Sequence, residues 1–148
     1  MTQYLWLICA LITAISWGFG YALSEKLMKD AFSPIFIMVV SGFFYFTLSL
    51  ILAFFTKQLE PGFQIISEDK TKLIGICILS ISYVVGTGLI FYAISLKNAT
   101  LVNLIEITYP VFTVIFAYVL MKEVQINLGT LIGGLLIFAG VATIFLKS

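Results

Sequence analysis

Five long apolar stretches, each closed by a small cluster of charge, leave this chain few ways to fold. They cover about residues 4–23, 34–56, 73–96, 99–121 and 127–146. The first stops at Ser24-Glu25-Lys26 and the second at Lys57. A polar loop from Lys57 to Lys72 separates the second from the third. Lys97-Asn98 and Lys122-Glu123 mark the two remaining breaks, and Lys147-Ser148 follows the fifth run. About twenty residues at about 1.5 Å each match a hydrocarbon core of about 30 Å. Lipid offers no partner to a free N–H or C=O, so each run must close its own hydrogen bonds as a helix. A membrane β-barrel needs segments of about ten residues with alternating polarity, and the sequence has none.

The expectation is an all-α integral membrane protein, a bundle of five transmembrane helices forming one domain over residues 1–148. Ser33-Pro34 opens the second run as a capping residue followed by proline at the first helical position. The first run carries no charge before it and is longer than the core of a cleavable signal, so it reads as a retained helix.

Composition decides what surrounds those helices. Hydrophobic residues make up 61% of the chain and charged residues 10%. A soluble domain is nearer half apolar and about a quarter charged. A chain this short has too much surface to hide the excess inside, so the lipid bilayer is its first partner. The net charge of +1 includes no basic stripe and excludes a nucleic-acid partner. Histidine is absent, which removes the commonest metal ligand and general base. Cys9 and Cys77 lie inside apolar runs at no ligand spacing and read as small buried hydrophobes. No metal site, cofactor or enzymatic activity is expected, because no nucleophile–base pair exists and the membrane zone holds one carboxylate rather than two.

Orientation is not fixed by charge. With five spans, Lys57, Lys70, Lys72 and Lys122 fall on one side and Lys26, Lys29, Lys97 and Lys147 on the other. The positive-inside rule needs an excess of Lys and Arg on one side. Either a short native bias still selects one orientation, or the chain inserts both ways and pairs with an inverted copy.

Helices in lipid associate by close backbone approach and a few polar contacts. Gly129, Gly133 and Gly140 share one face of the fifth helix, the first two at GxxxG spacing. Ser82 and Gly86, and Ser16, Gly20 and Ser24, repeat small-residue spacing in the third and first helices. Such faces serve packing within one protomer or, for the fifth helix, a dimer.

Glu106 is the most informative residue. It lies in Asn103-Leu-Ile-Glu106-Ile-Thr-Tyr109-Pro110, about 10 Å along a helix that starts near Ala99. An ionised carboxylate at such depth costs at least about 2.5–3.5 kcal/mol and nearly always faces protein or a wet cavity. Asn103 and Tyr109 share its face at i−3 and i+3, and Thr113 continues the stripe. Pro110 has no N–H for the Glu106 carbonyl. Irregular backbone at this depth belongs where protein covers it or a cavity begins, and discontinuous helices commonly mark transport sites. Desolvation favours the neutral carboxyl, which suits a group that exchanges a proton as substrate comes and goes. The plainer reading makes Glu106 a protonated, hydrogen-bonded link between helices. Trp17, Tyr21, Tyr83 and Tyr92 are candidate pocket aromatics that hold a cation on a π-face, or else packing and interface anchors. Tyr4 and Trp6 read as interfacial belt.

The segments Ala93-Ile-Ser-Leu-Lys97-Asn-Ala-Thr, Tyr109-Pro110-Val-Phe, Met121-Lys-Glu123 and Gly129…Gly133-Gly134…Gly140-Val141, with Trp17-Gly18 and Lys26 ahead of them, resemble the EamA-type repeat of the drug/metabolite transporter superfamily. Ser41 stands near where many members carry an arginine, so substrate contacts made by that arginine do not carry over to this chain. Most members hold two such repeats with the second inverted. The resemblance therefore implies a partner, either an antiparallel homodimer or a second half-size subunit. It also implies a multi-pass protein of the cell membrane that moves metabolites, amino acids or small cationic compounds by efflux or exchange. Proton coupling would run through Glu106, with Asn103, Tyr109, Pro110, Thr113, Trp17, Tyr21 and Tyr83 around the substrate. Glu123 matches the family's glutamate, and reads as a favourable charge ahead of the fifth helix or as a substrate contact. The alternative function is a non-transporting membrane subunit or lipid-binding assembly partner.

Overall fold

The computed structural model describes residues 4–122 and 127–147. It is 91% helical, with no strand among the described residues. Seven helices appear among them: α1 (Leu5–Asp30), α2 (Pro34–Thr56), α3 (Leu59–Glu68), α4 (Lys70–Leu96), α5 (Ala99–Glu106), α6 (Tyr109–Met121) and α7 (Leu128–Lys147). Five segments are long and apolar enough to cross a bilayer: α1, α2, α4, Ala99–Met121 (α5 with α6), and the stretch Leu128–Leu146 of α7.

Helix ends follow local chemistry rather than hydropathy. α1 continues past Leu23 to Asp30 because the Glu25–Lys29 ion pair, one turn apart, supports a polar last turn. Charge ends a membrane run, but it does not end a helix. Ser33 caps α2 in extended conformation, its Oγ accepting the Phe36 N–H at 3.1 Å, and Pro34 follows at the first position. The rings of Phe32 and Phe36 stack at 5.3 Å across that entry. Lys57 ends α2 in the left-handed region at φ 55°, and the Gln58 N–H reaches back to the Ala53 carbonyl at 3.1 Å. The expected polar loop after it contains α3. Asp69 then separates α3 from α4, its Oδ1 accepting the Thr71 N–H at 2.9 Å.

Two compact units divide the chain. One comprises residues 1–18 and 97–148, the other residues 19–96. In the second, α2 packs on α4 and α3 on α4. Its buried residues are Ile37, Ile94 and Ser24, whose Oγ donates to the Gly20 carbonyl at 2.8 Å. A Cβ on Gly88 would sit 3.8 Å from Met38 Sδ, an ordinary van der Waals contact between α4 and α2. In the first unit Ala99 and Ala117 are buried, and a Cβ on Gly134 of α7 would sit 3.9 Å from Val111 Cγ2 of α6.

Many of the other large apolar side chains stand open along α1, α2, α4, α6 and α7. In water such a surface would drive collapse or aggregation. In a bilayer it is the correct outer face, since acyl chains solvate it as well as leucine does. Hydroxyls on these spans fold back onto their own helix. Thr13 donates to Cys9, Thr47 to Phe43, Ser80 to Ile76 and Thr143 to Ala139, at 2.7–2.9 Å. Each bond satisfies a polar group locally, as a lipid-facing helix requires.

Candidate functional site

The run Ala99–Met121 is long enough to span in one piece, yet its backbone breaks after Glu106. Asn98 starts α5: it is extended, and its Oδ1 accepts the Leu101 N–H at 2.8 Å. The ladder then meets Pro110, whose ring nitrogen has no proton to give the Glu106 carbonyl. The chain responds by tightening. Ile107 and Thr108 adopt φ, ψ of −58°, −5° and −75°, −14°. Thr108 N–H bonds the Ile105 carbonyl, and Val111 N–H the Thr108 carbonyl, each at 3.1 Å. These are three-residue steps, the signature of a 3₁₀ turn, which recurs where a helix is strained or hinged. Thr108 Oγ1 adds a second bond to the Ile105 carbonyl at 2.9 Å. α6 begins at Tyr109 with Pro110 second, a position where proline costs nothing.

Glu106 is the last residue of α5 and half-buried. Asn103, one turn earlier, is half-buried too, and its carbonyl accepts the Ile107 N–H at 3.0 Å. Tyr109 is 55% exposed at the start of α6. Thr113 Oγ1 donates to the Tyr109 carbonyl at 3.1 Å, so this hydroxyl serves its own helix. The break thus gathers Asn103, Glu106, Tyr109, Pro110 and Thr113 within about three turns of chain. Trp17 and Tyr21 lie on α1 and Tyr83 on α4. Trp17 and Tyr83 are exposed, and Tyr21 is half-buried.

Two residues at this site escaped the sequence reading. Thr108 carries the second bond across the break, and its signal is a hydroxyl residue two positions before a mid-span proline. Asn98 marks the break between two runs and also caps α5, since an Asn directly before an apolar run is a helix-capping signal.

On α7, a Cβ built on Gly133 or Gly140 would meet nothing within 4 Å. One on Gly129 would come 3.3 Å from Asn127 Oδ1, the atom that caps α7 through the Thr130 N–H at 2.9 Å. Gly133 and Gly140 therefore present bare backbone with room in front of it. At the far end of α6, Lys122 is left-handed at φ 59° and its Nζ lies 5.9 Å from the Tyr118 ring centre. Glu123 lies outside the described residues. Among the described residues, no group of three or more His, Cys, Asp or Glu is placed to hold a metal ion.

Five apolar spans, one of them interrupted beside a carboxylate, define a multi-pass helical membrane protein with the features of a carrier. The model of the EamA-like transporter family matches residues 4–146, nearly the whole chain. The chain belongs to that family and is a membrane transporter of the drug/metabolite type, with one EamA repeat. No curated protein and no solved structure matches it.

Proposed function

We propose that this chain exports or exchanges a small metabolite, amino acid or cationic compound across the cell membrane, with Glu106 as the group that alternately holds a proton and the substrate's charge. The observation that carries this reading is the interruption of a single span immediately after Glu106. The break places a carboxyl beside a stretch of backbone that has left the helical ladder, about 10 Å from the start of the span. A rigid helix would hold Glu106 in one setting. A 3₁₀ turn joining two short helices gives α5 and α6 a place to pivot, which is what alternating access needs. Asn103 and Tyr109, one turn either side of Glu106, offer hydrogen-bonding groups, and Trp17 of the same unit offers a π-face for a cationic substrate.

The working unit in this reading brings a second repeat against the first, as an antiparallel homodimer or with another half-size subunit. Two features support it. The lysines tie four against four, so neither orientation is favoured. Gly133 and Gly140 also leave α7 open to a close-packed neighbour. Gly133→Leu should then shift the native-gel band from dimer to monomer. An unshifted band removes α7 from the contact.

Purified protein reconstituted into vesicles with a pH-sensitive dye inside tests the transport reading. Ethidium or a labelled amino-acid mixture added on one side should move protons in the opposite sense. Glu106→Gln should abolish that exchange. If proton movement persists unchanged in Glu106→Gln, Glu106 is a structural link and not the coupling group. If the wild-type protein moves no solute at all, the assembly-partner function replaces this one.

A further inference from the structure

The segment between α2 and α4 was expected as a polar loop, and it contains a ten-residue helix, α3, with two unlike faces. Leu59, Phe63 and Ile66 recur at four and three residues and share one side, with Gly62 beside them. Glu60, Gln64 and Glu68 lie about 100–180° round the helix from Leu59, with Ser67 at the border beside Phe63. That polar side is internally bonded: Gln64 Nε2 donates to Glu68 Oε1 at 2.9 Å, and Ser67 Oγ to the Gln64 carbonyl at 2.8 Å. On the apolar side Phe63 is 68% and Leu59 37% exposed, while Gly62 and Ile66 are half-buried.

The geometry points to the bilayer interface as the occupant of that open face: α3 lies in the headgroup–acyl boundary with Phe63, Leu59 and Ile66 turned into lipid. Three observations carry this. First, α3 is tethered. Two residues, Lys57 and Gln58, separate it from α2, and one, Asp69, from α4. At no more than about 3.6 Å per residue, neither link lets it leave the membrane surface. Second, α3 is about 15 Å long, half a bilayer core, so it cannot span. Third, its apolar face continues an established lipid-facing surface. Leu50, Ile51, Phe54 and Phe55 at the end of α2 join Leu59 around an open apolar groove of about 370 Å³, room for a stretch of acyl chain.

The charges of this segment say what drives the docking. Lys57, Lys70 and Lys72 balance Glu60, Glu68 and Asp69. A helix held by anionic lipid carries a basic polar face, whereas the polar face of α3 is acidic. Insertion therefore follows from apolar area and is indifferent to headgroup charge. Held this way, α3 fixes the distance between the ends of α2 and α4 at one membrane surface.

Full-length protein with Cys9 and Cys77 replaced by serine, and a single nitroxide introduced by Phe63→Cys or Gln64→Cys, tests this in vesicles of phosphatidylcholine. At position 63, oxygen should relax the label at least about tenfold more effectively, relative to a water-soluble nickel chelate, than at position 64. The ratio should be unchanged when about a third of the lipid is phosphatidylglycerol. Ile66→Cys, on the same face, should repeat the result and stands in if the label at 63 prevents folding. Equal chelate access at 63 and 64 would place α3 in water and overturn the inference. So would exclusion of both reagents from 63 and 66, which means a protein surface covers the face. A ratio that rises only with phosphatidylglycerol overturns the apolar mechanism.

Discussion

Two of the five spans have the same length and the same number of prolines, and only one of them is interrupted. α2 and the run Ala99–Met121 each contain 23 residues. Pro34 is the first residue of α2, where the N–H it lacks would have had no helical partner. Pro110 falls in the middle of the other run, where its N–H would have bonded Glu106. The first proline helps start a helix and the second breaks one. Hydropathy does not distinguish these spans; the register of one residue type does. The break coincides with the carboxylate identified in the sequence, so one short segment holds both the acidic group and the interruption.

The sharpest way to break this contrast is at Glu106. Glu106→Gln keeps the shape and the break but removes the ionisable group. Solute flux in vesicles should fall at least about tenfold, equivalent to about 1.4 kcal/mol on the transport barrier, and lose its pH dependence. Flux and pH profile equal to wild type would reduce the site to packing. Pro110→Ala tests the pivot instead. It restores an N–H that can reach the Glu106 carbonyl and lets α5 and α6 merge. Flux should fall several-fold while thermal stability in detergent is unchanged or higher by about 1 kcal/mol, because alanine favours helix and can complete the ladder that proline leaves open. A variant that transports at the wild-type rate would show that the pivot lies elsewhere.

The caps sharpen the comparison. Ser33 starts α2 and Asn98 starts α5, each accepting one N–H. Replacing either by alanine should cost about 1 kcal/mol in chemical unfolding. Asn98→Ala should also slow flux, because α5 has only eight residues and Glu106 ends it, whereas Ser33→Ala should leave flux alone. Equal effects on flux would mean that α5 is not set by its own cap.

Asp69 offers a milder probe, at the start of α4. The Thr71 N–H donating to its carboxylate holds this carboxyl below its ordinary value of 3.8. A depressed carboxyl stabilises the fold above its unfolded value and loses that contribution as pH falls through the lower, folded one. Protection of the backbone amides at Thr71–Leu73, measured against their intrinsic exchange rates, should therefore fall in acid below the ordinary carboxylate range. Asp69→Asn, which still offers an oxygen, should remove that pH dependence. If the variant and wild type respond alike, another group is titrating.

These particulars show why parts of the molecule were readable in the sequence and others were not. The spans were, because about twenty apolar residues in a row have one stable state in lipid. Glu106 and Pro110 were, because each violates the rule of its surroundings. α3 was not, since Leu59, Phe63, Ile65 and Ile66 are spaced among polar residues and the segment reads as polar when averaged. The extension of α1 to Asp30 was missed because hydropathy marks where lipid ends, whereas the Glu25–Lys29 pair lets the helix continue into water. The 3₁₀ turn was half visible: the missing N–H follows from Pro110, but the tightening at Ile107 and Thr108 depends on which carbonyls the neighbouring donors reach.

The smallest expected effect is the control for the whole comparison. Pro34→Ala changes the same residue type in a span of the same length, but at a position outside the ladder. The Ser33 cap still accepts the Phe36 N–H, so the start of α2 does not depend on the ring alone. What the ring adds is a fixed φ in the unfolded chain, and its loss should cost about 0.4–1 kcal/mol at most. Flux should stay at the wild-type level. Measured beside Pro110→Ala, the pair separates proline as a local stiffener from proline as a deliberate gap in the ladder. If Pro34→Ala lowers flux as far as Pro110→Ala does, membrane insertion or general stability explains both, and the break after Glu106 loses its special standing.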